Sequence, residues 1–220
     1  MMRLKKFKAL FVAALTVGAA HNVQAQNNAS AVLSKLSAKY DSYQTIDANF
    51  TLTNYTNANK KASSSSGTIF IDKKANKFHI NLPGTYTLIS DGKALYTIHH
   101  DVKEIEVTDV TEVKNDISPI NIFTFYKKGF NNKLGKDFTA AGVALRTVEL
   151  KPQTTNNNYA AINLTISKNT NTIKDVAIKS KGGGSQTYTI SRLTPNVTKD
   201  ATIFTVNKTN YKGYEFIDLR

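Results

Sequence analysis

The sequence of 220 residues contains no cysteine. A chain without cysteine has no disulfide framework, and it also lacks the N-terminal cysteine that carries the acyl chains of bacterial lipoproteins. The protein is therefore not anchored to a membrane by lipidation of a cysteine. Its fold must be held together by packing alone.

Long hydrophobic runs are also missing beyond the N-terminus, because Asn, Lys or Thr interrupts each of them. The apolar stretch Ala9–Ala20 follows four basic residues and falls short of the roughly 20 residues that span a bilayer. Val23-Gln24-Ala25 then places small residues where a signal peptidase reads them. We predict a signal peptide over residues 1–25, cleaved after Ala25, and one soluble exported domain over residues 26–220.

Acidic residues are few, with 16 Asp and Glu against 29 Lys and Arg, which gives a net charge of +13. Such an excess is typical of nucleic-acid binding, but export argues against that class, and the lysines are scattered along the chain. We therefore expect no nucleic-acid partner and a solvated basic surface. Attraction to an anionic membrane face or to an acidic partner stays open as the alternative.

No residue pattern indicates catalysis. His99, His100 and Asp101 are adjacent on a predicted strand, so their side chains point to opposite faces and do not form a metal site. Glu104 and Glu106 alternate with apolar residues, as on a solvated strand face. The sequence thus predicts neither an enzyme nor a metal or cofactor site.

Hydrophobic periodicity predicts a helix from Asn28 or Ser30 to about Tyr43, followed by about ten short antiparallel strands. Asn57–Ser66 is polar and is expected to be a flexible loop. A second helix is expected to open at Ser118-Pro119, in front of a densely apolar segment. The fold class is therefore α+β and mainly β, with a single antiparallel sheet that curls and is covered by helices.

One face of this curled sheet is predicted to be an apolar lining that the helices do not fill completely. A dry cavity of this kind suits acyl chains. Ordinary core packing is the alternative. The candidate lipid-binding residues are Phe50, Leu52, Ile69, Ile71, Phe78, Ile80, Leu88 and Leu95 of the strands, and Ile120 and Phe123 of the covering segment.

The segment from Gly67 to Tyr96 resembles the outer-membrane lipoprotein carrier proteins (LolA family). It has the strand that starts at a glycine, the basic turn Lys73-Lys74, Phe78, Pro83, and the run Ser90-Asp91-Gly92-Lys93 closed by Leu95-Tyr96. The resemblance extends over the whole mature chain, with the segment at Ser118-Pro119 in the place of a lid helix.

The resemblance implies an unclosed β-barrel with a helical lid over a hydrophobic cavity. It also implies a periplasmic carrier, most simply a monomer, that accepts acylated lipoproteins from an inner-membrane ABC-type release complex. The carrier delivers them to the outer membrane through an acceptor that the sequence does not identify. Lys74 stands where the family has an arginine that contacts the lid, and Phe78 matches an aromatic residue linked with cargo uptake. Lysine lacks the planar fork of donors that arginine has.

Two alternatives remain beside this hypothesis. A divergent relative with the same fold carries free lipids or glycolipids instead of lipoproteins. A sensor or adaptor with this fold binds lipoproteins and signals through a partner protein.

Overall fold

The computed structural model describes residues 20–110, 117–155 and 158–220, with side chains from residue 28 onward. Helix α1 spans Ala20–Asp41 and therefore begins earlier than the predicted caps at Asn28 and Ser30. Most of the predicted signal peptide lies outside the described residues, and its cleavage stays a prediction. No helix within the described ranges combines the length and the apolar character needed to cross a membrane.

Within these described ranges, twelve strands follow α1 and form one sheet, in the order β12-β6-β5-β4-β3-β2-β1-β11-β10-β9-β8-β7. Neighbouring strands are antiparallel except β12 and β6, which are parallel. Because β12 and β7 are the two edges, the sheet is not closed into a barrel. The strands are β1 (Thr45–Tyr55), β2 (Lys61–Asp72), β3 (Lys77–Leu82), β4 (Tyr86–Ser90), β5 (Ala94–His99), β6 (Glu104–Asp109), β7 (Phe130–Ala140), β8 (Val143–Pro152), β9 (Tyr159–Ser167), β10 (Thr172–Ser180), β11 (Ser185–Pro195) and β12 (Glu215–Asp218).

The face of the sheet that contacts α1, here called the inner face, carries the main hydrophobic core. Alternation along β1 turns Ile46, Ala48 and Phe50 to this face, where each is at most 2% exposed. The stripe of α1 packs on the same face and consists of Ala29, Leu33, Leu36 and Tyr40, spaced as one side of a helix requires.

A second, smaller core lies on the opposite, outer face beneath β2 and β4–β6. The C-terminal segment, residues 196–218, covers it with Phe204, Tyr211 and Tyr214. The strand residues of this core are Phe70, Ile89, Ala94, Ile98, Ile105 and Val107. β2 and β4 are therefore apolar on both faces, which the predicted single-faced sheet did not include.

Several sequence-based boundaries were wrong. The structure has twelve strands rather than about ten, and the two missed strands are the edge strands β7 and β12. The stretch Asn57–Ser66, expected to be a flexible loop, is strand from Lys61 onward. Serines of β2 form hydrogen bonds with polar partners on β1, as between Thr51 Oγ1 and Ser66 Oγ at 3.1 Å, so this ladder is stabilised without apolar side chains.

The segment Ile117–Gly129, here called the lid, covers part of the inner face as predicted but is not the predicted α-helix. It consists of turns and a 3₁₀ turn at Phe125–Lys127. Asn121 Oδ1 accepts the Ser118 N–H at 3.0 Å, which resembles the start of a helix, and the Phe125 N–H donates to the Asn121 carbonyl at 2.9 Å. Isoleucine, threonine and phenylalanine then fill the segment, and these residues have low helix propensity, so the helix does not continue.

Candidate functional site

All ten side chains that were predicted to line an apolar site lie in the main core cluster. They divide into two groups by exposure. Phe50, Ile69, Phe78, Ile80 and Phe123 are buried, each at most 8% exposed. The partly buried group is Leu52, Ile71, Leu88, Leu95 and Ile120.

Burial of the inner face is uneven because α1 covers mainly one half of it. The helix contacts β7, β10 and the lid, and Ser30 Oγ donates to Asn132 Oδ1 of β7 at 3.2 Å. On β8–β10 the apolar residues beneath the helix are almost completely buried. They are Val148, Leu150, Ile162, Leu164, Ile166, Ile173 and Val176.

The other half of the inner face, on β1–β5, retains partly exposed apolar side chains. Leu52, Ile71, Leu88 and Leu95 all lie there, together with Tyr86. Isolated exposed apolar residues are ordinary, but a group on adjacent strands next to a covering segment is characteristic of a binding surface. This half is the candidate functional site.

The lid belongs to the main core and packs against the end of α1. The lid residues Ile122, Phe123 and Tyr126 are buried. The centre of the Phe123 ring lies 5.0 Å from the centre of the Tyr40 ring of α1. Lys127 Nζ forms an ion pair with Asp41 Oδ1 at 2.6 Å, which connects the lid to the end of α1. The lid side chains thus belong to the same core as the strand residues of the candidate site.

One lid residue has an unusual environment. The Tyr126 hydroxyl is buried next to Ser37, and no hydrogen-bond partner of ordinary geometry is found for it in the described structure. Burial raises the pKa of Tyr126. The same residue lines a cleft of about 540 Å³ between α1, the lid and β7, with Ser34 and Asn132 also in its walls.

Lys74, the predicted lid contact, is exposed, and it makes no hydrogen bond with the described part of the lid. Its neighbour Lys73 instead donates from Nζ to the carbonyl oxygens of Tyr40 and Tyr43, both at 2.8 Å, and to that of Asp41 at 3.2 Å. A cation at this place satisfies free carbonyl groups and the negative end of the helix dipole. The role proposed for Lys74 stays a prediction.

Three of the polar groups considered in the sequence, His99, His100 and Glu106, have structural partners. His100 Nε2 lies 2.8 Å from Thr87 Oγ1, and His100 Nδ1 lies 3.0 Å from Tyr214 Oη, so the ring joins β4 to the C-terminal segment. Glu106 lies 3.8 Å from His99. Within the described residues no three His, Cys, Asp or Glu side chains are grouped as a metal would require.

The outer face is closed by a charged clasp that the sequence did not reveal. Asp47 is 6% exposed and accepts from Lys199 Nζ at 2.6 Å and from Arg192 Nη2 at 2.7 Å. Burial alone raises the pKa of Asp47, but the hydrogen bonds from Lys199 and Arg192 outweigh it and hold that pKa below its usual value. Lys199 also lies 4.8 Å from the centre of the Phe70 ring, so the clasp secures the C-terminal segment.

Three solved structures with related folds illustrate how widely this architecture occurs. An uncharacterized conserved protein from Thermus thermophilus superposes with a TM-score of 0.59 at 10% identity, over 87% of this chain and 99% of its own. The lipoprotein LppX of Mycobacterium tuberculosis gives 0.52 at 11% identity, over 79% and 99%. MucB of Pseudomonas aeruginosa, in its complex with MucA, gives 0.51 at 12% identity, over 82% and 61%. These likenesses show the fold alone.

A comparison with curated proteins gives no match. By contrast, the family model described as outer membrane lipoprotein carrier protein LolA matches residues 41–207. The match includes β1–β11, the lid and the half of the inner face that carries the partly buried apolar residues. This chain belongs to the LolA family of outer membrane lipoprotein carrier proteins.

Proposed function

We propose that this protein is a periplasmic carrier that binds the acyl chains of lipoproteins released from the inner membrane and delivers them to the outer membrane. The observation that carries the proposal is that Leu52, Ile71, Leu88 and Leu95 of the sheet, with Ile120 of the lid, are apolar and only partly buried against the main core. Family membership supports the same conclusion.

Binding in this core requires the lid to move, since Phe123 and Tyr126 are buried in the same core cluster as the candidate site residues. The ion pair between Lys127 and Asp41 is largely exposed, and such a pair contributes less than about 1 kcal/mol. The main cost of opening is therefore exposure of lid and sheet side chains. An acyl chain that takes the place of the lid recovers about 0.8 kcal/mol for each methylene it buries.

The further roles follow from the same carrier function. The eight strand residues and two lid residues named above contact the acyl chains, and Phe78 assists uptake from an inner-membrane ABC-type release complex. Lys74 contacts the lid when it moves, although a lysine makes a weaker clamp than an arginine. The carrier acts as an exported monomer without catalytic activity, and its outer-membrane acceptor remains to be found.

The same experiment tests two alternative functions. A carrier with the same apolar site accepts free lipids or glycolipids if the site does not require a protein moiety. A sensing adaptor instead requires a partner protein, as MucB has in its complex with MucA; this chain covers 61% of that MucB chain.

The test is native mass spectrometry of the protein purified from the periplasm without detergent, followed by release and identification of the bound species. We expect an acylated lipoprotein. If the bound species is a free phospholipid or glycolipid, the protein transports lipids rather than lipoproteins. A stable complex with an unacylated protein favours the adaptor, and a ligand-free protein that also excludes apolar dyes overturns the binding function.

A further inference from the structure

One end of the sheet carries a group of turns that is rich in lysine and poor in carboxylates. The turns β1–β2, β8–β9 and β10–β11 and the entry Lys128-Gly129 to β7 all lie at one end. The hairpin rim is defined here as these turns together with the four nearest residues of each strand that adjoins them. Its described residues include the exposed lysines Lys60, Lys61, Lys128, Lys133, Lys151, Lys179 and Lys181.

Carboxylates are almost missing from the hairpin rim. In the part of it that the structure describes, Glu149 is the one acidic residue, and it lies 3.4 Å from Lys151. Other carboxylates at this end, such as Asp101, Glu104 and Glu215, lie on the β5–β6 turn, on β6 and on β12, outside the rim. The opposite end of the sheet carries aspartates among its lysines, at Asp72, Asp91, Asp109, Asp137 and Asp218.

Aromatic residues show the same asymmetry. Tyr55, Tyr86, Phe130 and Tyr159 each begin or end a strand at the end of the sheet where the rim lies, and each is partly exposed. The strand termini at the opposite end are all non-aromatic. They are Thr45, Asp72, Lys77, Ser90, Ala94, Asp109, Ala140, Val143, Ser167, Thr172, Pro195 and Asp218.

Lysines next to partly exposed tyrosines match the chemistry of a bilayer surface. Tyrosine places its ring near the acyl boundary and its hydroxyl in the headgroup layer, and lysine neutralises phosphate. An acidic protein surface would need the lysines but not the row of aromatic strand ends. We infer that the hairpin rim docks on an anionic phospholipid bilayer surface.

This docking surface lies beside the candidate acyl site, because Leu52 is three residues from Tyr55 and Tyr86 is two from Leu88. Docking through the rim therefore brings the open half of the inner face towards the membrane. The inference does not depend on the identity of the cargo, and its test uses the full mature chain without any cargo.

The test is co-sedimentation with vesicles of phosphatidylglycerol mixed with phosphatidylcholine, compared with vesicles of phosphatidylcholine alone. At low ionic strength we expect the protein to sediment with the anionic vesicles only, and about 1 M salt is expected to release it. The triple variant Lys60→Glu/Lys61→Glu/Lys179→Glu is expected to partition at least about tenfold more weakly.

The matched control is Lys35→Glu/Lys93→Glu/Lys136→Glu, which changes the net charge equally at exposed lysines outside the rim. We expect the control to bind within about twofold of the unmodified chain, and thermal unfolding of both variants verifies that they are folded. The inference is overturned if the unmodified protein ignores anionic vesicles. It is also overturned if the rim variant binds vesicles as well as the control does. That result would show that the rim is a solvated surface or a protein contact and not a membrane contact.

Discussion

The backbone N–H of Ile173 donates a hydrogen bond to the hydroxyl of Tyr40 at 3.0 Å, and both residues are 1% exposed. This bond joins the last turns of α1 to the start of β10, across 133 positions of sequence. Burial raises the pKa of Tyr40, so the phenol stays protonated. The bond helps to determine which half of the inner face the helix covers.

Replacement of Tyr40 by phenylalanine leaves a buried amide without its acceptor. We expect Tyr40→Phe to lower the free energy of unfolding by about 1–3 kcal/mol. Tyr126→Phe is the matched control, because it removes a buried hydroxyl that has no hydrogen-bond partner in the described structure. That variant is expected to be neutral or stabilising. Urea denaturation measures both changes, and equal losses would contradict this account.

Gly67 is predicted to resist substitution for a steric reason. A Cβ built there lies 2.5 Å from the Asn81 carbonyl oxygen and 2.8 Å from the Phe50 ring. Gly67→Ala should therefore destabilise the protein by about 1–3 kcal/mol. Gly182→Ala, where a Cβ meets nothing within 4 Å, should change stability by less than about 0.5 kcal/mol. Thermal unfolding compares the two, and a tolerated alanine at position 67 would show that β2 and β3 move apart easily.

The clasp at Asp47 predicts a pH dependence of stability. Because the pKa of Asp47 is lower in the folded state, its contribution is complete above the unfolded pKa of about 3.9. The contribution is lost as the pH falls through the folded value. Asp47→Asn should thus cost about 1–3 kcal/mol at neutral pH, and the difference from the unmodified protein should narrow below about pH 4.

Urea denaturation across this pH range measures the effect of Asp47. The exposed Asp101→Asn serves as the control and is expected to change stability by less than about 0.5 kcal/mol. If Asp47→Asn has the same unfolding free energy as the unmodified chain at pH 7, the clasp does not stabilise the C-terminal segment.

A charge in the partly exposed half of the inner face should impair acyl binding. Leu88→Glu places a carboxylate where the acyl chain is proposed to lie, and we expect at least about tenfold weaker binding of a fluorescent acyl probe. Phe138→Glu, at a side chain 43% exposed on β7, should leave the affinity unchanged. Unfolding curves separate binding from folding. Equal probe affinity of the two variants would show that the acyl chain binds at another place on the protein.

The ion pair between Lys127 of the lid and Asp41 of α1 should contribute little to the free energy of unfolding but should slow the uptake of an acyl probe. A double-mutant cycle of Asp41→Asn and Lys127→Met should give a coupling of about 0.2–1 kcal/mol, since both side chains are partly exposed. The same variants should take up the acyl probe faster, because the closed lid loses its ion pair. Stopped-flow fluorescence measures the uptake, and unchanged rates would show that this pair does not restrain the lid.

The edge strands show why some elements could not be predicted from sequence. β1 alternates Ile46, Ala48, Phe50 and Leu52 with polar residues, and this period of two is sufficient to identify it. β7 contains Asn, Lys, Gly and Asp without a clear period, and it is a strand because β8 offers it a hydrogen-bonding edge. Local pattern is thus informative where one face is buried, and it fails where pairing alone maintains the strand.

The basic turn shows the same limit for the site. Lys73 and Lys74 are adjacent and chemically identical, and the sequence does not distinguish their contacts. Lys73 reaches the end of α1 because the turn after β2 lies next to Tyr43, a contact between segments 30 residues apart. Tyr126 and Lys127 were also missed, since neither shows a signal before the lid is placed against α1.

The sequence by itself determined that the chain folds into one mainly antiparallel sheet with an apolar inner face, because alternation commits each strand's side chains to a face. It also identified ten of the residues that lie in the main core or pack against it. Only the tertiary structure decided which of them stay partly exposed. That outcome depends on where α1 and the lid lie, and long-range contacts of Tyr40 with Ile173 and with Phe123 help to set those positions.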